Sequence, residues 1–289
     1  MSELVFCKLG GSIITDKQRP STARPEMIER LAQEIAQAMA DRPGLRLLLG
    51  HGSGSFGHVV ASKYRVHQGI ADGENWWGYA ETGAVAAQLN RLVTDTFIRA
   101  GVPVVTIQPS ALARCRGGEL IALDDYPIRE ALRHRLVPLV HGDVAFDSDQ
   151  GCTIVSTEAE FAYLARALRP ARIVLVGEVH GVYDRDPLAD KAAQRPEHSR
   201  RAARLFARIT PDTYAEIEAG LGGSSSADVT GGMLTKVRGM VDLVEQELVQ
   251  GVHLISGHVR GALTRVLLDP QATGGTVIEK VRRHSAPGC

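Results

Sequence analysis

The sequence predicts an α/β fold in which a mostly parallel sheet is covered by helices on both faces. Three observations carry this. Short apolar runs alternate with stretches of helical periodicity along nearly the whole chain, and such alternation builds parallel strands joined by helical crossovers. Several of the apolar runs end in glycine clusters, "KLGGS" at 8–12, "GHGSGSFGH" at 50–58 and "HGD" at 141–143. In an open parallel sheet, ligands sit beyond the carboxyl ends of the strands. The chain has 289 residues, 44% hydrophobic and 23% charged. That is ordinary globular composition, enough for one large α/β domain or two lobes sharing a sheet.

Leu4 to Leu9 reads as a strand running into Gly10-Gly11-Ser12. Met27, Leu31, Ile35 and Met39 recur at helical spacing, so Pro25 to Ala40 is a helix with proline at its start. Leu45 to Leu49 is the second strand, Gly78 to Ala100 a long helix, and Val104 to Ile107 a strand. Val137 to Val140 is another strand. Short hairpin-like pieces follow at Ala145-Phe146 and Thr153-Ile154-Val155, and then a helix from Thr157 to Leu168. Arg169-Pro170 marks a break between 1–169 and 170–289. Ile173 to Val176 is the next strand. Asp184 to Arg201 is polar and contains two prolines, which makes it a loop excursion. Gly220 to Gly232 is small and polar. A helix is marked by Met233, Val237, Met240, Val241, Val244 and Leu248, and the strands Val252–Ile255 and Thr276–Ile278 close the sheet. There is no internal repeat.

The formal net charge is +0 and no basic run occurs, which argues against a nucleic-acid surface. Cysteines 7, 115, 152 and 289 show no CxxC or pairing pattern and read as free thiols in a reducing cytosol. No apolar run reaches the roughly 18 residues of a membrane span, and no signal-peptide pattern opens the chain. The expectation is a soluble, cytoplasmic protein. Of its 33 basic residues only six are lysines, at 8, 17, 63, 191, 236 and 280. Three of these, Lys8, Lys17 and Lys236, lie in or beside Gly/Ser/Thr-rich loops.

Gly52-x-Gly54-x-x-Gly57 matches the dinucleotide fingerprint literally. That motif requires a helix after the glycine loop, and then a second strand ending in an acid about 20 residues on. Asp72 and Glu74 stand at the distance, but no apolar strand precedes them, so the fingerprint fails its context. A Walker loop is absent. The remaining glycine clusters, with "DVTGGM" at 228–233 before a helix, share another explanation. Glycine lets backbone N–H groups approach phosphate oxygens, and helix N-termini favour the anion. The common reading is a site for several phosphates; a simple turn remains the alternative for any one cluster.

The ordered set "KLGGS…K", "GSGSFGH", "QPSA", "HGDV…D", "GVYDRDP" and "DVTGGMLTK" resembles the amino-acid kinase superfamily and, within it, the isopentenyl phosphate kinases. The resemblance runs from Val5 to about Ile278. "GSFGH", with His58, is its most specific part, shared mainly with isopentenyl phosphate kinases and fosfomycin kinases. It implies an open three-layer αβα sandwich with an N-terminal acceptor lobe, a C-terminal nucleotide lobe and a homodimer. The implied activity is ATP-dependent phosphorylation of isopentenyl phosphate to isopentenyl diphosphate in isoprenoid biosynthesis. A kinase of another small phosphate or phosphonate such as fosfomycin, or a catalytically silent nucleotide-binding regulator, is the alternative.

Phosphoryl transfer needs alignment and charge neutralisation more than covalent help. The resemblance assigns Lys8 and Lys236 to the ATP phosphates and Lys17 to the transition state. Without it, Lys17 reads as a solvated loop lysine. A phosphate monoester is already ionised near neutral pH, so no general base is needed, and His58 is expected to bind the acceptor phosphate. The bland alternative for His58 is a capping or packing histidine. The nucleotide is expected to meet Gly10, Gly11, Ser12, Gly54, Glu178, Tyr183, Asp184, Asp186, Pro187 and Gly232. The acceptor phosphate is expected to meet Ser53, Gly54, Ser55, His58 and Thr157. Asp143, Asp147 and Asp149 read as loop carboxylates, with no metal ligands assigned and Mg²⁺ carried by ATP. One departure stands out. Archaeal members read Ser-Gly-Asp where this chain has Ser156-Thr157-Glu158, which leaves Glu158 to orient the lysines with one more methylene. Tyr79, Phe146 and Ile154, with one of Trp76 and Trp77, are candidates for an apolar slot around a five-carbon chain; ordinary core packing is the alternative.

Overall fold

The computed structural model describes residues 3–70, 76–185, 187, 203–221, 230–272 and 274–280, with the backbone alone at 219–221 and 230–236. In chain order the elements are β1 (Glu3–Leu9), α1 (Gly11–Ile14), α2 (Pro25–Asp41), β2 (Leu45–His51), α3 (Gly54–Tyr64), α4 (Trp77–Arg99), β3 (Val104–Thr106) and α5 (Pro109–Leu112). Next come β4 (Ala113–Arg116), β5 (Glu119–Leu123), α6 (Tyr126–Arg133), β6 (Val137–His141), β7 (Asp143–Asp147), β8 (Gly151–Val155) and α7 (Thr157–Leu168). The last are β9 (Arg172–Gly177), β10 (Arg208–Ile209), α8 (Pro211–Leu221), α9 (Thr230–Glu245), β11 (Gly251–Ser256), α10 (Ala262–Leu268) and β12 (Gly275–Glu279).

The central sheet runs β10-β12-β11-β9-β1-β2-β6-β3. Every neighbouring pair is parallel except β11 with β12. Strands that follow Arg169 fill one half of this sheet and strands that precede it fill the other. Alternation along each strand feeds two cores. Val5, Cys7 and Leu9 of β1 pack with α2, α4 and α10, while Leu4 and Phe6 pack with α6, α7 and α9. This is a three-layer αβα sandwich, and its central strands are apolar on both faces, as a covered parallel sheet requires.

Two local signals explain the element that matters most for the site. Ser156 caps α7, its hydroxyl accepting from Ala159 N–H at 3.1 Å. The helix ends at Arg169 in the left-handed region, φ 47°, just before Pro170, which cannot continue it.

The expected strands and helices appear, with differences that have physical causes. The hairpin-like pieces are two strands of a second sheet, β5-β4-β7-β8; β4 has two arginines in four residues and carries no strand pattern, and β5 is an apolar run, Leu120–Leu123, not among the expected strands. The chain turns helical within "GSGSFGH", at Gly54, and α3 runs eleven residues to Tyr64, although its glycines and histidine break any apolar period. The helix expected to reach Leu248 ends at Glu245. Asp186 and most of the expected loop excursion lie outside the described residues. Among those residues, no helix is long and apolar enough to cross a membrane.

Candidate active site

The parallel register brings strand ends together. Leu9 lies opposite His51 and Val176, His51 opposite His141, and Val176 opposite Ile255. The loops that follow β1 and β2 touch backbone to backbone at Gly11 and Gly54. A Cβ on Gly11 would stand 2.4 Å from Gly54 N and 2.7 Å from Gly54 Cα. Gly54 has φ +50°, and a Cβ there would stand 2.1 Å from Thr15 Oγ1. Two expected phosphate loops are thus one interlocked surface. Gly10 joins it to β9 by donating to Val176 O at 2.8 Å. Ser53 precedes the first turn of α3, Ser55 lies within it, and His58 sits one turn on, exposed. Thr15 Oγ1 accepts from Ser55 N–H at 3.0 Å.

Lys8 faces α7. It is only 7% exposed, and its ammonium forms an ion pair with Glu158 in the first turn of that helix. The structure therefore joins the lysine and the acid expected to orient it. Thr157 is different. Its side chain is buried and its hydroxyl donates to His51 O at 2.7 Å, so the group it can offer an acceptor is its N–H in the first helical turn. Lys17 is exposed on the loop between α1 and α2, which Thr15 and Ala23 close by a β-bridge. Ser21 N–H donates to Ser55 O at 3.2 Å, which moors this loop to the glycine surface. The side chain of Lys236 and Asp186 lie outside the described residues; Gly232 lies in the first turn of α9.

Behind the loops is a buried polar layer that sequence reasoning missed. His51 and His141 stack at 5.5 Å with 14° between their planes, and His51 Nε2 lies 3.0 Å from Asn90 Oδ1. Burial first, and then the neighbouring His51, push His141 down to about 3. Asp143 accepts from Gln108 Nε2 at 2.6 Å and from the N–H groups of Ser110 and Val144; burial still raises it above the usual carboxylate range. Glu160 is fully buried, and both its carboxyl oxygens lack a hydrogen-bond partner among the described residues. Burial, then the charge of Asp143, pushes it well upward, with Lys8 opposing. A lone acid in an apolar helical stripe gives no sequence signal of this. Asp143 and Asp147 are not loop carboxylates: they are the first and last residues of β7, and both are buried, Asp147 accepting from the N–H groups of Gly117, Gly118, Asp149 and Gln150.

The aromatic candidates do converge. Tyr79 stacks on Phe146 at 4.8 Å, and Trp76 stands 5.8 Å from Tyr79 and 5.9 Å from Phe146. Ile154, like Trp76 and Tyr79, packs against a small buried cluster of Val66, Ile70, Val144 and Cys152. Trp76, not Trp77, takes part; Trp77 is 63% exposed and donates to Glu81. Burial and the charge of Asp143 raise the Tyr79 hydroxyl to about 12, so it stays protonated. On the other half of the sheet, Glu178 is held by Arg24 at 2.8 Å and by His258 at 2.9 Å. Tyr183 bridges Leu205, Asp184 accepts from Arg204 N–H at 2.8 Å, and Pro187 stands in a turn just beyond.

The amino acid kinase family model matches residues 3–256. The chain belongs to this family. Within it, the chain is 33% identical to an isopentenyl phosphate kinase of Methanothermobacter thermautotrophicus, over 96% of this chain and all of that one. It is 33% identical to another from Haloferax volcanii, over 89% of this chain and 95% of the relative. A solved isopentenyl phosphate kinase structure superposes with a TM-score of 0.77 at 31% identity, covering 95% of this chain and all of that one. An aspartate kinase from Synechocystis, 15% identical with a TM-score of 0.60, shares the fold alone.

Proposed function

We propose that this chain is an ATP-dependent kinase that converts isopentenyl phosphate to isopentenyl diphosphate. The observation that carries the reading is the close glycine contact between the loops after β1 and β2, with Lys8 held by Glu158 beside it. Glycine lets backbone N–H groups approach phosphate oxygens, and one ammonium is fixed at the edge of these loops. An acceptor phosphate carries about −1.5 to −2 charge near neutral pH, and compact ammonium groups suit a moving phosphoryl group better than a static guanidinium clamp.

In this reading a phosphate oxygen of the acceptor attacks the γ-phosphorus. The bond to the β–γ bridging oxygen breaks, and ADP leaves with that electron pair. Gly10, Gly11, Ser12 and Gly54 line the nucleotide phosphates, which arrive as the magnesium complex, and Gly232 and Lys236 are assigned to the same phosphates. Lys17 meets the transferring group. Ser53, Ser55, His58 and the N–H of Thr157 take the acceptor phosphate. Trp76, Tyr79, Phe146 and Ile154 bound its hydrocarbon tail. Residues 1–169 form the acceptor half and 170–289 the nucleotide half, with Tyr183, Asp184 and Pro187 on the nucleotide side. The working unit is a cytoplasmic homodimer. The similarity to isopentenyl phosphate kinases over nearly the full chain supports the choice of acceptor.

The test is ADP release by the purified protein, with isopentenyl phosphate, fosfomycin, UMP, carbamate and acetylglutamate as acceptors. Isopentenyl phosphate should give the highest kcat/KM. Turnover confined to fosfomycin would move the acceptor assignment. No turnover with any acceptor, in a protein that still binds ATP, would leave the silent-regulator reading.

A further inference from the structure

Arg24, Glu178 and His258 meet where the two halves of the sheet face each other, although they are distant in sequence. Arg24 Nη1 donates to Glu178 Oε1 at 2.8 Å, and His258 Nε2 lies 2.9 Å from Glu178 Oε2. Arg24 closes the loop that carries Lys17, Glu178 follows β9, and His258 follows β11. The backbone around each is tied down. Arg24 N–H donates to Ile14 O at 2.8 Å, and Gly257 N–H donates to Gly177 O at 2.8 Å. Ser256 Oγ donates to Glu178 O at 3.1 Å and accepts from His258 N–H at 3.2 Å.

The Lys17 loop is therefore gripped from two sides. On one, Ser21 and Thr22 reach Ser55 in the first turn of α3. On the other, Arg24 reaches the end of β9. Helix α2 does not need this second grip in order to dock. Glu34 on α2 accepts from Leu263 N–H at 3.1 Å and, through its backbone oxygen, from Thr264 Oγ1 at 3.0 Å. Arg30 also reaches Gly257 O. What Arg24 adds lies before the helix, at the base of the loop.

We propose that Arg24, Glu178 and His258 form a latch between the two halves that positions the Lys17 loop over the interlocked glycine loops. Arg24 and His258 are then positioning residues, and Glu178 acts through them rather than as a ligand of the nucleotide. The structural part stands on the contacts alone; the kinetic part rests on the kinase reading above. Partly exposed ion pairs contribute little to global stability, so removing one leaves the fold intact and its effect is local.

The experiment compares wild type with Arg24→Ala, Glu178→Gln, their double variant and His258→Ala. Hydrogen exchange of residues 15–23 is followed by mass spectrometry, together with kcat and KM for ATP. Exchange in 15–23 should rise several-fold in Arg24→Ala and Glu178→Gln. Their kcat should fall by roughly tenfold or more, since a misplacement of about 1 Å can cost about 10²-fold. KM for ATP should stay within about twofold, because the variants touch no nucleotide contact in this proposal. The double variant should be no worse than the worse single one, as members of one unit are not additive. His258→Ala should move exchange and kcat in the same direction by less. A rise in KM for ATP in Glu178→Gln alone, with Arg24→Ala unchanged, would make Glu178 a nucleotide ligand and overturn the latch. Unchanged exchange in both would reduce the cluster to a surface ion pair. The exchange arm needs no acceptor, so a failure of the isopentenyl phosphate assignment would leave it readable.

Discussion

The central sheet and the small sheet meet at the site, and they are built to different tolerances. In the central sheet both faces are covered and the parallel register brings five strand ends level. The loops leaving β1 and β2 are locked backbone against backbone, with no space for a single added carbon. The small sheet alternates buried and exposed residues along β4 and presents Phe146 58% exposed within an aromatic cluster. Its contacts are ring to ring, and such contacts re-pack. On the kinase reading proposed above, the difference divides the labour: the central sheet supplies contacts that every phosphate acceptor needs, and the small sheet supplies contacts that choose among acceptors.

The sharpest way to break this comparison is to add one carbon to each kind of glycine. A Cβ at Gly11 meets the backbone of Gly54, which cannot step aside, so Gly11→Ala must part the two loops. Activity should fall about 10²-fold or more, in line with displacements of about 1 Å elsewhere, and equally for every acceptor. Gly44, at the opposite end of β2, has nothing within 4 Å of its added carbon, so Gly44→Ala should leave both activity and Tm near wild type. Steady-state rates and thermal melts of the two variants decide it. A Gly11→Ala protein that still turns over normally would show that the loops are not interlocked in use.

How much of this was legible in the sequence follows the same division. β1, β2, β6 and β9 declare themselves because two covered faces demand continuous apolar runs, and α7 runs from Thr157 to Leu168 as read, because Ser156 and Pro170 punctuate it. Lys8 and Glu158 could be paired only through the family resemblance; nothing in their spacing shows that a strand end and a helix start converge. The small sheet was half legible. Ala145-Phe146 and Thr153–Val155 are legible as short hairpin-like pieces, but Ala113–Arg116 is four residues with two arginines and carries no apolar run. Arg24 and His258 gave no signal, since their contacts with Glu178, 154 and 80 positions away, are set by topology. Trp76 and Trp77 could not be separated, because adjacent positions at a helix start differ only in the direction they point.

A smaller effect is expected at the aromatic cluster. Tyr79 and Phe146 stack at 4.8 Å, and truncating either to alanine removes a ring without disturbing the glycine loops. If this cluster bounds the acceptor's tail, the opened slot should admit a longer chain. The ratio of kcat/KM for geranyl phosphate to that for isopentenyl phosphate should then rise roughly tenfold, about the worth of two more buried CH₂ groups. Turnover of isopentenyl phosphate should fall less than in Gly11→Ala. A ratio that stays fixed in both variants, with the proteins folded, would remove the cluster from the tail site and take acceptor choice away from the small sheet.

The smallest effect separates two acids on one helix turn. Glu158 is paired with Lys8, whereas Glu160, two residues on, is fully buried with neither oxygen bonded among the described residues. Burial raises Glu160 well above its ordinary 4.5, helped by Asp143 and opposed by Lys8. A raised carboxyl binds its proton more tightly in the folded chain than in the unfolded one. Between the two pKa values the folded state therefore holds more protons, and stability falls as pH rises. The favourable contribution is complete below about pH 4.5 and is lost progressively up to the folded-state value. Glu160→Gln keeps the shape and removes the titration. Its Tm should match wild type most closely near pH 4 and exceed it by a growing margin, a few degrees, toward pH 8. Thermal melts of both proteins at pH 4, 6 and 8 provide the measurement. If Lys8 instead holds Glu160 ionised as a second counterion, the gap changes sign, and the glutamine variant becomes the less stable protein at neutral pH. Parallel curves would mean that Glu160 titrates alike in both states, and that the buried layer behind the glycine loops is open to water.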